Sequence, residues 1–164
     1  MVKNVKRKIY IFSIMFFITD LISKILVMKF LKEELVLIPG FLSFKKVSNS
    51  GAAFSLFTGY RIFLILFALV VIFYICYKLL DKINTKFEII TYSLLLGGIL
   101  GNLFDRVFYK EVVDFISFNI FGYMFPIFNL ADSFIVIGAI MLVIQIIKGE
   151  RNEIRSKRKW YKNR

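Results

Sequence analysis

Long apolar runs interrupted by short polar clusters organise this chain. Residues 9–28, 62–77, 89–104 and 131–147 are almost unbroken hydrocarbon. Each has roughly the length of a membrane-crossing helix, for which about 17 residues is the lower limit. The last three lie near that limit, so their true ends are expected a turn further out. The segment between the first two runs, residues 30–59, is long for a connection and too apolar for a linker. Within it, Leu35-Val36-Leu37-Ile38, Pro39-Gly40 and Phe41-Leu42-Ser43-Phe44 read as strand, turn and strand. The predicted fold class is therefore an all-α membrane protein. It is a bundle of four transmembrane helices with a small extracytoplasmic β-sheet built from the first external loop.

Composition agrees with this class and adds an orientation. The chain has 164 residues, 59% of them hydrophobic, with 20 Phe, an excess that water alone would not accommodate. It reads as one membrane domain over residues 1–149 with a basic cytoplasmic tail over 150–164. The net charge of +12 would suit nucleic acid, but its distribution does not. Four basic residues precede the first run, eight follow Ile147, and Lys78, Lys82 and Lys86 lie between the second and third. Those fifteen fall on one side of a four-span bundle and seven on the other, with Lys24 inside the first span. The richer side is cytoplasmic by the positive-inside rule, so both termini are expected inside. No nucleic-acid partner is expected; the tail is expected to lie along anionic headgroups or stay disordered. The N-terminal run resembles a secretory signal but has no small-x-small cleavage site, and is read as a retained span.

With no histidine and a single cysteine, Cys76, the chain excludes Ser-His-Asp and Cys-His nucleophiles and the common zinc sites. The remaining chemistry lies in polar residues beside apolar segments, where an unneeded carboxylate is expensive. Under the charge-derived orientation, several converge at the outer boundary. They are Asp114 in Val113-Asp114-Phe115, Asp132 in Asn129-Leu130-Ala131-Asp132, Asn102-Leu103-Phe104-Asp105-Arg106, and Asn49-Ser50-Gly51-Ala52-Ala53-Phe54. Asp20 lies about 12 Å below the outer end of the first span at 1.5 Å per residue.

Two carboxylates brought together cannot both ionise cheaply, so they share a proton and can divide general-acid and general-base duties. Asp114 and Asp132 suit that pairing. The competing reading makes Asp132 an N-cap and Asp114 a solvated loop acid. Asp20 and Lys24, four residues apart on a helix, favour an internal ion pair. The alternative makes Lys24 a general base for Ser23 or Ser55, as in serine-lysine peptidases. Gly97 and Gly101 form a small-residue face for close helix packing. Arg106 is open to three readings: a partner for Asp105, a clamp on a substrate carbonyl, or an interfacial arginine reaching for headgroups. A small transporter relaying protons through its aspartates is the non-enzymatic alternative.

The order of Asp20-x-x-x-Lys24, Asn49-x-Gly51-Ala52-Ala53-Phe54, Gly98-x-x-Gly101-Asn102-x-x-Asp105-Arg106, Val113-Asp114-Phe115 and Phe128-Asn129-x-Ala131-Asp132 resembles lipoprotein signal peptidase, the bacterial signal peptidase II family. The resemblance runs from about Asp20 to Gly138. It implies a four-helix aspartic endopeptidase of the bacterial cytoplasmic membrane, with its active site near the outer leaflet. Such enzymes remove signal peptides from prolipoproteins by cutting before a diacylglyceryl-modified cysteine. The resemblance puts the catalytic pair on Asp114 and Asp132 and substrate contacts on Asn49, Asn102, Arg106 and Asn129. Supporting roles fall on Asp20, Lys24, Gly51 and Asp105. It implies no metal or organic cofactor, membrane lipids and prolipoprotein signal peptides as partners, and a monomer.

Overall fold

A computed structural model describes residues 2–51, 56–80, 83 and 85–162. Four helices and four short strands follow one another in the order α1 (Val2–Phe30), β1 (Leu35–Ile38), β2 (Leu42–Asn49), α2 (Arg61–Tyr74), α3 (Lys86–Phe108), β3 (Val112–Ile120), β4 (Tyr123–Met124) and α4 (Leu130–Lys162). A π-helical segment, Ile75–Leu79, prolongs α2. Segments within α1, α3 and α4 are long and apolar enough to cross a membrane; the α2 segment, Arg61–Tyr77, is shorter.

The third helix is the axis of the bundle, packed mainly against α1 on one side and α4 on the other, with α2 against it more lightly. Its glycines allow this. A Cβ on Gly97 would lie 2.6 Å from the Phe16 Cβ and 2.8 Å from the Ser13 carbonyl of α1. One on Gly98 would lie 2.5 Å from the Ala131 carbonyl of α4. The expected small-residue face on Gly97 and Gly101 is present, and Gly98 adds a second one toward α4. Backbones this close gain dispersion contacts without needing a hydrophobic driving force. The other end of α3 is fixed by a capping box. Thr85 Oγ1 accepts from the Glu88 N–H at 3.1 Å, and the Thr85 N–H donates to Glu88 Oε2 at 2.8 Å.

Outward faces stay apolar: Ile11, Met15 and Ile22 of α1, Leu66, Phe67 and Val70 of α2, and Val136 and Ile140 of α4. Helices whose outer surfaces are hydrocarbon and whose backbone groups are satisfied internally suit lipid as their solvent.

The four strands form one antiparallel sheet in the order β1-β2-β3-β4. Its first two strands lie where the sequence placed them. The other two come from the segment between α3 and α4, so the first loop alone does not build the sheet. The run Val112–Ile120 is rich in β-branched and aromatic residues, which suits a half-buried pleat. β2 and β3 pair Phe44 with Ile116 and Val47 with Asp114, with a register shift between. Val27, Val113 and Phe115 form a small core with Met28, Phe44 and Leu130, anchoring the sheet to the end of α1 and the start of α4. The backbone of α4 extends beyond its apolar run. It continues as helix through the basic tail to Lys162, in keeping with the helix propensity of Glu, Arg and Lys.

Candidate active site

The site forms where the sheet meets the first turn of α4. Phe128 bridges to β3: its carbonyl accepts from the N–H groups of Phe115 (3.0 Å) and Ile116 (2.7 Å), and its N–H donates to the Ile116 carbonyl (3.1 Å). This docking brings the next residue, Asn129, against Asp114. Asn129 immediately precedes α4 and caps it. Its Oδ1 accepts from the Asp132 N–H at 2.9 Å, and its own N–H donates to Asp132 Oδ2 at 3.2 Å. Asp132 is thus the third residue of the helix, reciprocally bonded to the cap, and not the cap itself. A carboxylate there also faces the positive end of the helix dipole.

Three asparagine amides hold the two carboxylates, and each amide has its direction fixed by another bond. Asn129 must keep Oδ1 on the Asp132 N–H, so its Nδ2 points at Asp114 Oδ1, 2.7 Å away. Asn49 accepts the Gly51 N–H on Oδ1 at 2.9 Å, so its Nδ2 donates to Asp114 Oδ2 at 2.8 Å. Asn102 accepts from Lys24 Nζ (3.3 Å) and Asn129 Nδ2 (3.2 Å) on Oδ1, so its Nδ2 donates to Asp132 Oδ1 at 2.7 Å. Asp114 and Asp132 therefore share a single asparagine as neighbour. Asp114 is 2% exposed. Burial and the negative charge of Asp132 push its carboxyl up to about 6 against the pull of the two amides and Lys24.

Beneath this layer lies a buried ionic one. Lys24 Nζ pairs with Asp20 Oδ2 at 2.7 Å and with Asp105 Oδ2 at 2.9 Å. Asp20 Oδ1 accepts the Ala131 N–H (2.9 Å), and Asp105 Oδ2 also accepts the Val113 N–H (3.3 Å). The trio thus ties α1 and α3 to the start of α4 and of β3. Arg106 donates from Nη2 to the Gly51 carbonyl at 2.6 Å and from Nη1 to the Asn102 carbonyl at 3.1 Å. Its buried Nε has no hydrogen-bond partner among the described residues. No cluster of metal-ligating side chains occurs among the described residues.

A family model described as "Signal peptidase (SPase) II" matches residues 12–148. The chain belongs to the signal peptidase II family. A lipoprotein signal peptidase of Clostridium tetani (strain Massachusetts / E88) is 42% identical over 142 residues, covering 84% of this chain and 91% of that one. One of Staphylococcus aureus (strain MRSA252) is 37% identical over 139 residues, covering 83% and 85%. A solved structure, described as a bacterial membrane enzyme studied by the in meso method at 2.3 Å, superposes with a TM-score of 0.82 at 35% identity. That match covers 88% of this chain and 90% of the other. A second, at 1.9 Å, gives 0.76 at 35% identity.

Set beside this signal peptidase II framework, the residues singled out in the sequence fall into one connected cluster. Asp114, Asp132, Asn49, Asn102 and Asn129 share direct bonds. Arg106 and Gly51 adjoin them, and Asp20, Lys24 and Asp105 form the layer below. Asp114 is not a solvated loop acid: it lies in a strand. Arg106 does not pair with Asp105, which goes to Lys24. Lys24 Nζ is taken up by Asp20, Asp105 and Asn102, contrary to a role as general base for a serine. Ser23 donates to the Asp20 carbonyl of its own helix at 2.6 Å. Ser55 lies outside the described residues, as do Ala52, Ala53 and Phe54. Sequence reasoning missed the part played by Phe128, whose backbone bridge to β3 delivers Asn129. The strand-like composition of residues 112–120 was the signal available for it.

Proposed function

We propose that this protein is a membrane-embedded aspartic endopeptidase that removes signal peptides from prolipoproteins, cutting before a diacylglyceryl-modified cysteine. The observation that carries the reading is Asn129, one side chain bonded to Asp114 and, through its cap, to Asp132. Two carboxyls so coupled hold one proton between them. The ionised member takes a proton from water as its oxygen attacks the scissile carbonyl. The protonated member gives its proton to the carbonyl oxygen, and collapse of the tetrahedral species breaks the C–N bond as the amine leaves protonated. Asn49, Asn102, Arg106 and Asn129 orient the peptide. Arg106 Nε, buried and without an acceptor among the described residues, supports such a contact, because a buried donor without an acceptor is costly until something supplies one.

The membrane setting supports the same reading. A signal peptide is an apolar helix and enters laterally from lipid between helices whose outer faces are hydrocarbon. With the sheet end at the outer leaflet of the cytoplasmic membrane and both termini inside, the acyl chains remain in that leaflet while the scissile bond meets the aspartates. The protein works as a monomer. The test is to incubate reconstituted protein with a prolipoprotein, with and without its diacylglyceryl group. Cleavage before the cysteine of the lipidated form, and much less of the bare form, is expected. Absence of cleavage of either refutes the reading.

A further inference from the structure

The proposed peptidase leaves one question of roles open: which carboxyl carries the proton. Asn102 is the residue that answers it. Its amide has a donor end and an acceptor end, and only one assignment fits the surroundings. Both the Lys24 ammonium (3.3 Å) and the Asn129 amide NH2 (3.2 Å) direct hydrogens at Asn102 Oδ1. Rotation by 180° would set the Asn102 NH2 against two donors and its oxygen against the Asp132 carboxylate. The NH2 is therefore held on Asp132 Oδ1 at 2.7 Å, where it favours the ionised form.

We infer that Lys24 is a positioning residue that acts through Asn102 to keep Asp132 ionised as the general base, leaving the shared proton on Asp114. The inference rests on the peptidase reading above.

The charged groups around the pair decide whether Lys24 acts directly or through the amide. α1 contributes Lys24 and Asp20, α3 contributes Asp105 and Arg106, β3 contributes Asp114 and α4 contributes Asp132 itself. Lys24 Nζ is met by the carboxyls of Asp20 and Asp105, at 2.7 and 2.9 Å, which offset its charge. Its field alone would not favour a carboxylate on α4. Orientation of the Asn102 dipole is what Lys24 supplies. The two carboxyls also differ in setting. Asp132 lies in the first turn of α4, where an anion is favoured, and accepts the Asn129 N–H on its other oxygen at 3.2 Å. Asp114 accepts from the Asn49 and Asn129 amides, but it is buried on a strand without a helix terminus, and burial outweighs those two bonds.

The experiment is a pH profile of kcat and KM for cleavage of a lipidated prolipoprotein by purified, reconstituted wild type, Lys24→Met, Asn102→Leu and the double variant. Asn102→Leu leaves Lys24 paired to Asp20 and Asp105, so it reports even where Lys24→Met does not fold. The acid limb of the kcat profile records ionisation of the carboxyl pair. It should move up by about one pH unit in each single variant, the size of one lost charge-assisted hydrogen bond. The double variant should move no further, and Lys24→Met should change KM less than kcat. An acid limb in Asn102→Leu unmoved from wild type overturns the inference. So does an activity loss in folded Lys24→Met that is uniform across pH. Failure of the wild type to cleave would count against the peptidase reading, a separate outcome.

Discussion

Asp114 carries a pH signature that can be measured without substrate. Folded, its carboxyl is pushed to about 6, against an ordinary value of 3.8. Between those values the folded protein binds more protons than the unfolded one, so this group's contribution to stability falls as pH rises from about 4 to about 6. Asp114→Asn removes that dependence. The melting temperature of the variant, relative to wild type, should therefore climb across that window in detergent and level off above it. Parallel melting curves across pH would contradict it. Asn129→Leu should lower kcat by roughly a hundredfold, comparable to removing one preorganised donor, with loss of about 1 kcal/mol of stability from the missing cap. Steady-state kinetics and thermal denaturation on the same preparation separate the two effects. Most of these residues were legible in the sequence because a carboxylate or amide beside hydrocarbon needs a reason. Their partners were not. That Asp20 accepts the Ala131 N–H, or that Asp105 takes Lys24 in place of Arg106, depends on which helix faces meet, and no local pattern encodes that.

Among the elements, α3 sets the geometry of the rest. Gly98 lets α4 approach so closely that a methyl group would strike the Ala131 carbonyl and Ile135. Gly98→Ala should cost about 1–3 kcal/mol through overpacking and reduce turnover, since Ala131 adjoins Asp132. Gly149→Ala, with nothing within 4 Å of the added carbon, should do neither. Thermal melting of the two variants checks the contrast; equal melting temperatures would contradict it. The apolar runs located all four helices, α2 and α3 to within a few residues, whereas α1 starts seven residues earlier and α4 ends fifteen later; the Pro39-Gly40 turn marked the first hairpin. β3 escaped because its residues, Val112–Ile120, drew notice for one acid and not for their strand composition. Its pairing with β2 also joins segments about 70 residues apart, and a register shift between Phe44 and Val47 adjusts it. The tail escaped for a different reason: without an apolar face it has no periodic signal, yet the helix begun at Leu130 continues through it.

The molecule as a whole is a hydrocarbon-faced bundle with its connected cluster of aspartates and asparagines at the sheet end. α4, at 33 residues, is about 50 Å long at 1.5 Å per residue, well beyond a bilayer core of about 30 Å. The asymmetry of basic residues gives the proposed orientation its physical basis. In a Cys76→Ser background, Gly122→Cys at the sheet end should react with a membrane-impermeant thiol reagent in intact cells, and Gly149→Cys should react only after permeabilisation. The reverse pattern would invert the topology and separate the site from an outer-leaflet substrate. The central claim, that Asp114 and Asp132 together perform the hydrolysis, is tested most directly by cleavage of a lipidated prolipoprotein by purified, reconstituted Asp114→Asn and Asp132→Asn. Each should lose at least about a hundredfold in kcat while the folded protein is recovered at wild-type yield. Turnover by either folded variant close to that of wild type would contradict it.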